Sequence, residues 1–235
     1  MTRSPGNPPA ISGKNETAET VRYVAPFVLF LILLTLAPFV PLPPLGEAVF
    51  RFVLLAVACI ICWPREVPLA PRNPWASIAL GIAVFVLWIL PDLLVRGYRE
   101  LPLFSNPIVG HLHSSLSPNA LSRPSVLGWR TARAVLIVPV VEELFWRGWL
   151  MRWLIDKRFR EVKLGTYAPF AFWFTAILFA AEHGPYWDVG LLTGVLYNWW
   201  MLRTKSIADC ILAHAVTNAA LCWYIIAAKQ WQYWQ

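Results

Sequence analysis

The chain reads as an all-α, polytopic membrane protein of about seven transmembrane helices with a polar intramembrane chamber. Three observations predict this. Hydrophobic residues make up 58% of the 235, and mean hydropathy is +0.54, too oily for a soluble globule. Charged residues make up only 14%, about half the usual share. Finally, Glu142, Glu143 and Arg147 stand inside one apolar run, Ala134 to Leu154. At bilayer depth each such group costs a few kcal/mol, so three together need a reason.

The elements follow in order. Residues 1–20 are polar and rich in Pro, Gly, Asn and Ser, which predicts a disordered tail and no cleaved signal peptide. Residues 21–95 hold three spans. Tyr23 to Val40 ends in a proline cluster, Ala48 to Trp63 starts with a snorkelling Arg51, and Trp75 to Val95 opens on an interfacial tryptophan. Residues 96–127 are a proline- and serine-rich linker; its His111-x-His113 reads as a solvated loop, since no third metal ligand is near.

Residues 128–228 hold four more spans. Gly128 to Leu154 carries the acidic pair, with Pro139 just before it to free a backbone carbonyl. Tyr167 to His183 stops at Gly184-Pro185, and Trp187 to Leu202 carries Gly190-x-x-x-Gly194 for close helix packing. Ser206-x-x-Asp209 is a capping-box pattern opening Ile207 to Ala228, and the aromatic tail 229–235 suits a headgroup belt.

The net charge of +7 is not a nucleic-acid footprint, because the basic residues gather in connections between spans. They favour alternate connections, which puts the N-terminus in the cytoplasm and the C-terminus outside. Cys59, Cys62, Cys210 and Cys222 all lie in apolar runs and read as small buried residues rather than metal ligands.

Chemistry is concentrated in the later spans. Glu143 and Arg147 are four apart and face each other on a helix, while Glu142 points about 100° away. One carboxylate is therefore paired and structural, and the other is free to act. Phe179-x-x-x-His183 closes one span, Asn198 sits in the next, and His214-x-x-x-Asn218 shares a face of the last. Peptide hydrolysis in a dry site needs a base for water and donors for the oxyanion. Glu142 with His183 fits the first role, and His214 with Asn218 fits the second. Glu143 and Arg147 would brace the site.

Glu142-Glu143-x-x-x-Arg147, Phe179-x-x-x-His183 and His214-x-x-x-Asn218, in this order on successive apolar segments, resemble the motif set of the CPBP family, the CAAX prenyl protease and bacteriocin-processing relatives. The run Glu142 to Gly148 is also similar to the CAAX-protease-related members that accompany bacterial exosortase systems. The resemblance spans about 90 residues and implies a glutamic-type intramembrane protease without cofactor, acting on a membrane-associated protein or peptide. It implies Glu142 and His183 as the water-activating pair, and His214 and Asn218 as the oxyanion hole. It suggests a multi-pass protein of a bacterial inner membrane. No residue identifies a prenyl group.

Two other classes stay open. Glu142, His183 and His214 would suit zinc, although no His-Glu-x-x-His is present. Intramembrane carboxylates and histidines also mark transporters, and the same residues would be kept in a scaffold protein that does no chemistry. A transporter built from repeats would distribute them over two halves, whereas here they crowd into one.

Overall fold

The computed structural model describes residues 13–40 and 42–234. Seven helical segments are given labels: α1 Gly13–Leu36, α2 Pro44–Cys62, α3 Pro74–Leu94, α4 over 124–153, α5 Pro169–Ala181, α6 Trp187–Thr204 and α7 Ile207–Ala228. The all-α expectation holds among the described residues. Over Glu16–Leu36 in α1, and throughout α2, α3 and α7, helices are long and apolar enough to cross a membrane. Helix α5, with 13 residues, is about 20 Å long and shorter than the hydrocarbon layer.

Several boundaries differ from the sequence reading. Polar residues 13–20 are helical and form the first turns of α1, so the tail expected over 1–20 does not extend that far; residues 1–12 lie outside the described set. Helix α2 begins at Pro44 and α4 at Pro124, each on a proline, which fits a helix's first turn because no partner awaits its missing N–H. Helix α5 stops at Ala181, leaving His183 in the turn beyond it, where Gly184 takes a positive φ of 52°.

Helix α4 is not one uniform helix. It runs as α-helix Pro124–Ala132, π-helix Arg133–Ile137, α-helix Val138–Glu143, π-helix Leu144–Leu150 and a last turn Met151–Trp153. In the first π segment the Val138 amide bonds five residues back, to the Arg133 carbonyl. The next donor in that register would be Pro139, which has none, and its acceptor would be the Ala134 carbonyl. Asn218 of α7 fills the gap: its Nδ2 donates to the Ala134 oxygen at 2.8 Å. Pro139 thus opens a socket on α4 that a polar side chain of α7 occupies.

The helices are tied at one end by side chains from connections far apart in sequence. Arg22 donates to the Trp63 carbonyl at 3.2 Å, and Tyr23 to Glu66 at 3.0 Å. The Asn73 backbone and side chain both donate to Asp209, at 2.9 and 3.1 Å. Arg152, buried, lies over the rings of Tyr23 and Phe159. The start of α1, both ends of the 63–73 connection, the 155–166 loop and the α6–α7 connection therefore share an end. That end gathers Arg65, Arg72, Lys157, Arg158, Arg160, Lys163, Arg203 and Lys205. Ser206 caps α7 as expected, accepting from the Asp209 amide at 3.2 Å; the Asp209 carboxylate goes to Asn73 instead of closing the capping box.

At the other end the 96–127 linker is anchored rather than loose. Arg99 is 4% exposed, donates to Asp92, Asp188 and the Pro185 carbonyl, and lies over the Tyr186 ring. His111 and His113 are engaged locally, His111 with Ser105 at 2.7 Å and His113 with the His111 carbonyl at 2.9 Å. The tail folds back here too: the Trp234 carbonyl accepts from the Ser115 amide at 2.9 Å, and Tyr233 bonds Asp92.

Helices α3 and α7 pack most extensively, and Gly81 sets their separation. A Cβ there would stand 2.4 Å from the Ala213 carbonyl oxygen and 2.8 Å from Val216 Cβ. The obstacle is backbone, so it cannot rotate away. Gly81→Ala is expected to destabilise the fold by about 1–3 kcal/mol, the usual cost of overpacking. Thermal unfolding in detergent checks it; an unchanged melting temperature would show that the two helices part freely.

Candidate active site

Glu142, His183, His214 and Asn218 line one cavity of about 280 Å³. Helix α4 supplies the first, the turn after α5 the second, and one face of α7 the other two. The wall near α1 is apolar, with Phe30, Leu31 and Leu34, while Tyr186, Tyr233 and Trp234 close the end near the linker.

Each side chain is aimed by a hydrogen bond. Nδ1 of His183 meets the Phe179 carbonyl at 2.6 Å. A carbonyl only accepts, so Nδ1 carries the hydrogen and Nε2 is left for the cavity. Nδ1 of His214 meets Glu143 Oε1 at 3.0 Å, which leaves its Nε2 uncommitted as well. Asn218 uses one amide hydrogen on Ala134 and keeps another. Glu142 is 6% exposed, and its Oε2 is buried without a hydrogen-bond partner among the described residues. An acceptor buried and unbonded in this way is costly and calls for an explanation such as a reactant or water.

Comparison with known families decides what kind of segment carries this cavity. The family model described as "Type II CAAX prenyl endopeptidase Rce1-like" matches residues 124–220. Residues 124–220 are thus similar to the type II CAAX prenyl endopeptidases of the CPBP family. No curated protein and no solved structure matches the chain. The Rce1-like segment runs from the first residue of α4 to two residues past Asn218, so it holds every motif position that lines the cavity.

Behind the cavity wall of this Rce1-like core lies the paired carboxylate. Glu143 and Arg147 are both 0% exposed, with Arg147 Nη1 3.0 Å from Glu143 Oε1. Arg147 also donates from Nε to Asn198 Oδ1 at 2.9 Å and from Nη2 to the Gly194 carbonyl at 3.3 Å. Its guanidinium lies 4.6 Å from the centre of the Phe179 ring. Phe179 therefore does two jobs, a carbonyl for His183 and a ring for Arg147. Asn198 Nδ2 donates in turn to the Phe172 carbonyl of α5 at 2.8 Å. Four helices, α4 to α7, are joined through this one guanidinium and the carboxylate it shares with His214.

The small residues of α6 let this happen. A Cβ on Gly190 would come within 3.3 Å of Ala180 Cα and of His183 Cβ, and one on Gly194 within 3.1 Å of Ala176 Cα. The glycine pair brings α6 against α5 closely enough to hold His183 from behind. Trp88 of α3 completes that support, with its ring 5.3 Å from the His183 ring and its Nε1 donating to Thr193 at 2.9 Å.

The residues first singled out do not include all of the polar lining. Glu182 and Thr217 also face the cavity, and so does Tyr197, whose hydroxyl bonds Thr217 at 2.7 Å. Thr217 lies between His214 and Asn218 on α7, and its position gives no separate signal. Glu182 does have one: it is an acid at the end of an apolar run, next to the motif histidine, and the reasoning applied to Glu142 applies to it. Among the described residues, no three His, Cys, Asp or Glu side chains stand close enough to hold a metal ion. The four cysteines are free thiols.

Proposed function

We propose that this protein is an intramembrane endopeptidase of the CAAX-protease type. It hydrolyses a peptide bond of a membrane-associated protein or peptide with water activated by Glu142 and His183. The observation that carries the reading is the convergence of Glu142, His183, His214 and Asn218 on one cavity of an Rce1-like core. Glu142 takes a proton from water, and the Nε2 lone pair of His183 orients that water. The attacked carbonyl oxygen sits toward His214 and Asn218 as it gains charge. Asn218 donates its remaining amide hydrogen. For His214 Nε2 to donate as well, the ring must carry both hydrogens, and Glu143 stands 3.0 Å from its Nδ1 to balance that charge. The reaction in this form uses no metal.

The test is a comparison of protein termini. Membrane-protein N- and C-terminal peptides are mapped in cells making the wild type or Glu142→Ala. A set of new termini is expected only with the wild type; identical maps from both would sink the proposal.

We also propose that the arginine- and lysine-rich end of the bundle faces the cytoplasm of a bacterial inner membrane, by the positive-inside rule. The turn carrying His183 and the tail residues that close the cavity belong to the opposite end, so the cavity lies toward the outer face. Single cysteines in the 155–166 loop and the 103–110 segment are expected to react with an impermeant maleimide from opposite sides of the membrane. Labelling of the 155–166 cysteine in intact cells would reverse the orientation.

A further inference from the structure

We propose that Glu182 is a further catalytic residue, the acid that gives a proton to the departing amine while Glu142 acts as the base on water. This rests on the proteolytic reading above. Glu182 lines the same cavity as Glu142 and His183. Its Oε1 accepts from the buried Trp146 Nε1 at 3.1 Å. Trp146 lies on α4 four residues after Glu142. The indole therefore holds the Glu182 carboxyl beside Glu142, close enough for the two to interact directly.

The charges around the pair separate their roles. Arg147, behind the wall, is already engaged by Glu143 at 3.0 Å, and among the described residues no arginine or lysine lines the cavity. Two carboxyl groups side by side in such a site resist carrying two negative charges and hold one proton between them. A pair in that state contains a base and an acid at once. The Nδ1 hydrogens of the two histidines are committed, that of His183 to the Phe179 carbonyl and that of His214 to Glu143, and the Nε2 hydrogen of His214 is assigned to the oxyanion.

The step balances. Glu142 takes one proton from water as the water oxygen bonds to the carbonyl carbon, and the carbonyl electron pair moves onto its oxygen. When that pair returns, the carbon–nitrogen bond breaks, and the Glu182 proton goes to the nitrogen. The proton on Glu142 then passes to Glu182. One water is consumed, a carboxylic acid and an amine leave, and nothing is oxidised or reduced.

Gln at position 182 keeps an oxygen for Trp146 but has no proton to give. The experiment uses full-length protein in vesicles, with a peptide carrying a bond identified by the termini comparison. A second peptide has an ester in place of the scissile amide. Glu182→Gln is expected to lower kcat for the amide about 10²- to 10⁴-fold with KM little changed. It should also abolish the alkaline fall in the wild-type pH profile, which marks loss of the shared proton. The ester, whose alkoxide leaves with less help, should lose far less. Equal losses on amide and ester would make Glu182 a structural support for Trp146 and overturn the proposal, as would a wild-type rate on the amide. Wild type and Glu142→Gln run alongside separate the two readings: if the wild type cleaves neither peptide, the proteolytic assignment fails; if Glu142→Gln cleaves as fast as the wild type, the pairing of a Glu142 base with a Glu182 acid fails; if Glu142→Gln is dead while Glu182→Gln is active, only the acid role fails.

Discussion

Protein carrying Glu142→Gln is expected to fold and insert normally but to cleave about 10²- to 10⁴-fold more slowly than the wild type, the range for losing a general base. The change is nearly isosteric. It removes one carboxylate oxygen, Oε2, that has no hydrogen-bond partner among the described residues, and the amide keeps a polar group in the same place. Stability should be unchanged or slightly higher, because a buried unsatisfied acceptor costs about 1–3 kcal/mol and an amide carries less desolvation penalty than an ion. Loss of rate with retained stability is the signature of a group kept for chemistry rather than packing. The measurement is single-turnover cleavage of a membrane-anchored peptide by purified protein in vesicles, beside a thermal melt. Cleavage at the wild-type rate would remove Glu142 from the reaction.

Much of this arrangement was legible because polar groups in apolar runs are few and costly. Glu143 and Arg147 were pairable from their spacing alone, and the pair is present with both side chains fully buried. The close approach of α6 to α5 was readable in Gly190 and Gly194. The meeting of Glu142, His183, His214 and Asn218 was an expectation from motif order, and one cavity does collect them; what each contributes is proposed, not read from their positions.

What was not legible has specific causes. A π-helix has no hydrophobic period of its own over five or seven residues, so the two π segments of α4 leave no mark in the sequence. Pro139 signalled a freed carbonyl, but that Asn218 would take it required knowing how α7 lies on α4. The join between His214 and Glu143 crosses 71 positions and links two groups that the sequence placed in separate roles. The linker looked solvated because it is polar; it is held by one buried arginine whose two aspartate partners come from α3 and α6. The helical start of α1 was hidden because polar composition resembles a tail, while Glu19 of that turn approaches Arg160 at 3.9 Å. Long-range pairs of this kind have no local period, so spacing arguments cannot reach them.

The largest loss of stability is expected from Arg147→Met. Methionine fills part of the same volume but donates nothing, so Glu143, Asn198 and the Gly194 carbonyl all lose their shared donor at once. Glu143 is 0% exposed and would be left charged with only His214 beside it. Breaking one side of a buried ion pair typically costs about 3–5 kcal/mol. Glu143→Gln should cost less, since its amide oxygen still accepts from Arg147 and the extra positive charge is shared with the Phe179 ring at 4.6 Å. If the pair acts as a unit, Glu143→Gln combined with Arg147→Met should be less damaging than the sum of the two, because no unpaired charge remains. Denaturant melts of the four proteins in one detergent measure that coupling. Strict additivity would mean that Arg147 acts through its contacts with Asn198 and Gly194 and that Glu143 answers chiefly to His214, which would move the carboxylate from bracing the bundle to setting the charge on an imidazole in the cavity.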